Sequence, residues 1–409
     1  MNLRMTEHKE KLKSKIKSVL GGLLRLQWPD NILLNANKIK SRFKFYPFHN
    51  VVRTNVVRTM ELKEHKKHRL VLHIGAGKCA SSTLQHILST GCLNEKHSKN
   101  FQYICLTPKG VSGSRESALI ASKSVERYNS SSQFSLLLPI QERIIRDLSR
   151  IVNECDDEST SFVLSCEAWL HEMTFNKAAV ERWIYSLSSL FNPIEAICIV
   201  RPPVEWINSA WWQWGYWDKL PFQEWLNTHI EASLWSNHAN AWLMHPAIKA
   251  LHVLPLDLSA IDSALKIIGI DHLKTRIAEN TAIGNLFLRV FKERPELRPG
   301  PHAPKFSFFA MNEILPKLRQ PMLMPWCISQ PTLIRILNYT ESCSRNLLPL
   351  MTCYDAKKVS DNARWWKPEA YDKEMSRLVT PDDKVQVSDD QIYELISVLM
   401  NELFAKKYN

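Results

Sequence analysis

A chain of 409 residues, 45% hydrophobic and 23% charged, has the ordinary composition of a globular protein with a substantial core, as one large α/β domain with additions or as two domains. Its net charge of +12 is not the mark of a nucleic-acid-binding body, because residues 1–69 alone hold 17 Lys or Arg against 5 Asp or Glu. No apolar run reaches transmembrane length, Lys9, Lys11, Lys13, Lys15 and Lys17 interrupt any secretory-signal core, and nine scattered cysteines without a CxxC favour a reducing compartment, the cytoplasm, over a disulfide framework.

The basic N-terminal extension spans residues 1–66. Within it Leu12, Ile16, Val19, Leu20, Leu23 and Leu24 recur at helical spacing, which predicts a short basic amphipathic helix ending near Trp28-Pro29. Residues 9–28 then either rest peripherally on an anionic surface, such as the inner face of a membrane, or pack on the main domain with their lysines in water. The second reading is favoured, since a stripe this short does either.

From Arg69 the pattern changes. Leu70 to Ile74 is a short apolar run bounded by glycine, a buried strand, and Leu84, Ile87 and Leu88 follow at helical spacing. Between them lie Gly75-Ala76-Gly77-Lys78 and the small residues Cys79 to Thr83. Strand, glycine loop with a lysine, then helix is the arrangement in which backbone N–H groups and a helix N-terminus hold a phosphate; a tight βα turn with a chance lysine would leave the same pattern. The loop lacks Walker A spacing, and no hydroxyl follows the lysine to hold Mg²⁺, so a kinase or ATPase is disfavoured.

Further strands are predicted at Phe101 to Leu106, Ser161 to Glu167, Ala196 to Val200 and Ala250 to Leu256. Helices are predicted through Ile144 to Val152, over 177–190, 204–216 and 222–243, and from Ile261 to Ile268. The serine-rich run from Ser112 to Gln133 mixes short helix with loop. Short apolar strands alternating with helices predict an α/β fold, a parallel sheet flanked by helices on both faces, with ligands at the carboxyl ends of its strands. This core spans 67–294. Prolines 295, 299, 301 and 304 open an irregular, mainly helical C-terminal region, 295–409, packed on the core and ending in a helix from Asp389 to Leu403.

Two other strand ends carry chemistry. Arg201 closes its strand and Ser209 lies eight residues on, so that a guanidinium and a hydroxyl can converge on a second phosphate; alternatively Arg201 pairs with a carboxylate such as Glu205. Ser165-Cys166-Glu167 ends the strand before it. Glu167 is then a candidate base or a structural carboxylate, with His171 a helical turn further on as its rival.

Together the segments His73-Ile74-Gly75-Ala76-Gly77-Lys78-Cys79-Ala80-Ser81-Ser82 and Arg201-Pro202-Pro203 through Ser209-Ala210-Trp211 resemble the sulfotransferases that use 3′-phosphoadenosine 5′-phosphosulfate (PAPS), in particular the bacterial and Golgi-like branch. The resemblance covers roughly residues 69–292 and implies the P-loop NTPase-like sulfotransferase fold. It implies that Gly75 to Ser82 bind the 5′-phosphate and Arg201 with Ser209 the 3′-phosphate. Lys78 would assist the leaving group, Glu167 or His171 would act as base, and no metal would be required. The product would be adenosine 3′,5′-bisphosphate. The family usually has glycine where Ala80 stands; either the backbone there is helical or the loop is altered. Ten of the fourteen tryptophans fall between Trp169 and Trp242, some in the core and others available to stack on adenine or a sugar, so a carbohydrate acceptor is expected. A P-loop kinase and a non-catalytic nucleotide- or glycan-binding relative are the competing readings.

Overall fold

A computed structural model describes residues 68–91, 101–107, 110–112, 130, 137–155, 157–217, 220–271, 285–294, 317, 325–379 and 387–408. The N-terminal amphipathic helix, most of the serine-rich run and the proline loop lie outside these residues. The chain divides into two compact units, Met1–Glu61 and Leu62–Asn409. Every element described here belongs to the second.

That unit is built on one six-stranded sheet. Its strands are β1 (His68–Gly75), β2 (Phe101–Thr107), β3 (Gly110–Ser112), β4 (Ser161–Ser165), β5 (Phe191–Val200) and β6 (Ile248–Pro255), ordered β3-β2-β4-β1-β5-β6. All pairings are parallel except β2 with β3. In β4 every residue is buried, and in β1 all but Arg69, as expected of strands covered on both faces. β5 begins five residues earlier than its apolar run suggests. Pro193, which cannot donate to a ladder, falls at the register shift between the pairs His68–Phe191 and Leu70–Ile194.

The helices of the sheet region are α1 (Ser81–Gly91), α2 (Gln141–Asn153), α3 (Trp169–Phe175), α4 (Lys177–Ser188), α5 (Pro203–Gln213), α6 (Phe222–His229), α7 (Trp235–Leu243), α8 (Ala260–Ile268) and α9 (Asn285–Glu293). β1 hands the chain through α1 to β2 on one side, whereas β4 and β5 hand it on toward β6 on the other. Parallel crossovers are right-handed as a rule, so connections running in opposite senses are expected to set α1 on one face and α2 with α4 on the other. On that second face Gln141 Nε2 donates to Ser186 Oγ at 2.7 Å. The single helix expected over 222–243 is two helices separated by a 3₁₀ turn, Ile230–Ser233. The break turns the chain so that Trp235 donates its indole N–H to the Arg201 carbonyl at 2.9 Å.

The C-terminal region is more regular than its short, mixed segments imply. α10 (Gln330–Leu347) runs for 18 residues, followed by α11 (Cys353–Asp361), α12 (Asp372–Met375) and α13 (Asp389–Tyr408). Its buried stripe includes Thr332, Thr340 and Ser344, and polar members hide the period in a hydropathy reading. Thr340 is satisfied locally, its hydroxyl donating to Ile336 O at 2.9 Å. The region clasps α5: Asn208 donates to Pro325 O at 3.1 Å and accepts from the Cys327 amide at 2.9 Å. No helix among the described residues is long and apolar enough to cross a membrane.

Candidate nucleotide site at the ends of β1, β4 and β5

In an open α/β sheet, the crevice forms where neighbouring strands send their connections in opposite directions. Here that place is between β1 and β5. The loop after β1 is tied to β5 by the Ala76 amide, which donates to Ile199 O at 3.0 Å. Beside it, Arg201 Nη1 donates to Lys78 O at 3.3 Å. On the other flank, the Cys166 amide donates to His73 O at 2.9 Å, which holds the β4 exit against β1.

Glycine is obligatory at the first position of the loop. Gly75 has φ +117°, and a Cβ on it would stand 2.2 Å from the carbonyl oxygen of Glu167. Gly77 gives close approach of another kind: a Cβ there would lie 3.4 Å from the Trp214 ring and 3.7 Å from the Glu167 carboxyl carbon. Thus the Glu167 head group, the Trp214 ring and the loop backbone share one small space. Lys78 and Ala80 both take positive φ, +65° and +60°. The backbone at Ala80 is therefore left-handed, the conformation glycine would adopt freely, and not right-handed helical.

The side chains of the loop divide by direction. Ser81 turns back and donates to Ala76 O at 2.8 Å, closing the loop where α1 begins. Ser82 is buried beside it. Ala76 and Cys79 are fully buried, and desolvation pushes the Cys79 thiol up to about 12, so it serves as packing while its backbone stays with the loop. Lys78 is half-buried, its ammonium 3.4 Å from Gln213 Oε1 on α5. Beneath the loop, His73 Nδ1 and Ser165 Oγ share a hydrogen bond of 2.7 Å, and Gln85 Nε2 donates to the same hydroxyl at 3.2 Å. Burial lowers the His73 pKa to about 4, so near neutral pH it is an uncharged strut between β1, β4 and α1.

Arg201 leaves the end of β5, and Ser209 lies buried two turns into α5. The guanidinium pairs with Glu205 through Nη2 at 2.8 Å, the alternative partner that the sequence offers, while its buried Nε has no hydrogen-bond partner. A buried donor without a partner, next to a loop of backbone N–H groups, suits an anion. Two tryptophans hold this corner through their N–H groups: Trp206 donates to Gly77 O at 3.0 Å, and Trp235 to Arg201 O. Neither role is visible in the sequence, which offers only core packing or stacking for these tryptophans. Most of the cluster does pack: Trp169, Trp183, Trp211, Trp212, Trp225 and Trp242 are fully buried, whereas Trp214 and Trp217 keep partial exposure.

His171 and Glu167 occupy different surroundings. The Glu167 carboxyl faces Gly77. His171 directs Nε2 to the Ala232 carbonyl at 2.9 Å and sits edge-on to His238 with ring centroids 4.7 Å apart; burial lowers its pKa. Among the described residues no cluster of His, Cys, Asp or Glu could hold a metal ion.

No protein-family model matches the chain, and no curated protein matches it in sequence. Among solved structures, the signal recognition particle 54 kDa protein from Aeropyrum pernix K1 in complex with GDP aligns over 83% of this chain and 77% of its own. The two are 12% identical and the TM-score is 0.23, a level at which no common fold is established.

Proposed function

We propose that the chain moves a sulfuryl group from PAPS to a hydroxyl or amine acceptor, a carbohydrate foremost. One observation carries the reading: the lysine loop of β1 and the arginine of β5 adjoin at the switch point, linked by the Arg201–Lys78 contact. Two anion-holding elements side by side suit a ligand with two separate phosphates better than a triphosphate on one long loop.

In this reading the backbone N–H groups of residues 75–82, with Ser81 and Ser82, hold the 5′-phosphate. Arg201 and Ser209 hold the 3′-phosphate, the group that distinguishes PAPS from ATP. PAPS supplies an activated sulfuryl group. As its bond to the 5′-phosphate oxygen breaks and one to the acceptor oxygen forms, Lys78 swings from Gln213 to donate to the departing oxygen. Glu167 takes the acceptor proton, and is preferred to His171 because its carboxyl lies at Gly77 while His171 Nε2 is engaged by Ala232. Catalysis is then mainly positioning and charge stabilisation, as in phosphoryl transfer.

Thermal stabilisation separates the readings. Adenosine 3′,5′-bisphosphate is expected to raise the melting temperature without Mg²⁺, and to do so more than Mg-ATP at equal concentration. Stabilisation by Mg-ATP alone would point to a kinase. Binding of the bisphosphate with no label transferred from PAPS to glycan extracts would point to a non-catalytic relative.

A further inference from the structure

Arg201 is one end of a chain of charges that reaches deep into the C-terminal region. Glu205 binds Arg201 with one oxygen, and its other oxygen, Oε1, lies 2.5 Å from Nε of Arg364. Arg364 in turn sets Nη2 2.8 Å from Glu374 Oε1, and Arg377 approaches the same oxygen at 3.8 Å. Three guanidinium groups alternate with two carboxylates, which leaves one positive charge uncancelled. None of these side chains is more than 33% exposed. Arg364 is also held in place from behind. Its guanidinium lies 4.8 Å from the Tyr371 ring centroid, the Tyr371 hydroxyl donates to its carbonyl, and Tyr371 stacks on Trp326.

Glu205 poses a difficulty for any anion that comes to Arg201. It keeps the guanidinium aligned, yet it competes with the ligand for it. Moving Arg201 onto a phosphate would strand a part-buried carboxylate, which is strongly unfavourable when no other cation is at hand. We propose that Arg364 is a positioning residue of the nucleotide site, taking over Glu205 as the 3′-phosphate claims Arg201. This rests on the assignment of Arg201 to the 3′-phosphate and extends it to a residue of the C-terminal region. The carboxylate keeps a partner in both states, so the exchange leaves no buried charge alone.

Calorimetric titration of the full chain with adenosine 3′,5′-bisphosphate, and with AMP as the matched ligand lacking the 3′-phosphate, tests the proposal. Arg364→Gln is expected to weaken bisphosphate binding about tenfold, equivalent to about 1.4 kcal/mol, and to leave AMP binding within about twofold of wild type. Glu205→Gln binds the bisphosphate at least as tightly as wild type, and in that background Arg364→Gln has no further effect. Equal losses for both ligands, the same loss with Glu205→Gln present, or no loss at all would each overturn the proposal. Should Arg364→Gln not fold, Arg364→Lys keeps the charge and gives a smaller loss under the same pattern. A wild-type chain that binds no bisphosphate overturns the assignment of Arg201 itself. One that binds it without dependence on Arg364 overturns only the handover.

Discussion

Glu195 offers a sharp test of how the sheet beneath the site is held. Its carboxylate accepts from Arg69 Nε at 2.9 Å and Nη2 at 2.8 Å, and contacts His252 Nε2 at 2.9 Å. Arg69 also donates to Ile267 O at 2.7 Å. One carboxylate thus joins β1, β5, β6 and the end of α8. Against the opposing effect of burial, the Arg69 fork first and His252 second lower its pKa from 4.5 to about 2. A lowered carboxylate pKa adds stability above the unfolded value and loses it as pH falls through the folded one, so the sensitive window lies between those two values. At about 1.36 kcal/mol per pKa unit, the group contributes at most about 3 kcal/mol near neutral pH, of which about 2 is lost by about pH 3. Urea unfolding of wild type and Glu195→Gln across this range isolates the effect, since every other carboxylate is common to both. The stability gap between them is expected to narrow by about 2 kcal/mol on acidification. A gap that stays constant would refute the assignment of this carboxylate as an ionised anchor.

Four further outcomes follow from the site. Gly75→Ala must escape both a left-handed φ and the Glu167 carbonyl, at about 1–3 kcal/mol for each; urea unfolding within about 1 kcal/mol of wild type would contradict the geometry. Ala80→Gly relieves a left-handed alanine worth about 1–2 kcal/mol against about 0.5–1 of glycine entropy; the expected result is a neutral or raised melting temperature, and a clear fall counts against the loop as described. Trp206→Phe removes the donor from the buried Gly77 carbonyl, a loss of about 1–3 kcal/mol, read by unfolding together with weaker bisphosphate binding. Lys78→Ala and Glu167→Gln, with melting temperatures close to wild type, are each expected to lower transfer from labelled PAPS by about 10²-fold or more; full activity in the second passes the base role to His171 or another group.

The elements best read from sequence are those whose signals are local. β1, the glycine loop and α1 follow from one apolar run, two glycines and three apolar residues at helical spacing. Arg201 and Ser209 are marked by a strand end and a two-turn offset. α10 escaped because Thr332, Thr340 and Ser344 take core positions, and the break after α6 escaped because apolar spacing continues through it. At Ala80 the sequence allows a helical backbone or an altered loop; the observed φ of +60° excludes the right-handed helix and keeps the conformation open to glycine.

Propensity and periodicity within a few turns of chain make five of the strands, most of the helices between them and the residue types at three strand ends legible in the sequence, but not β3, α3, α9 or α10. Packing in three dimensions sets β1 between β4 and β5, turns Glu167 toward Gly77, and makes Trp206 and Trp235 donors to carbonyls beside the loop. It alone joined Arg201 through Glu205 to Arg364. Such contacts pair residues far apart in the chain, where one side chain's partner is set by how sheet and helices pack and leaves no period or spacing to read.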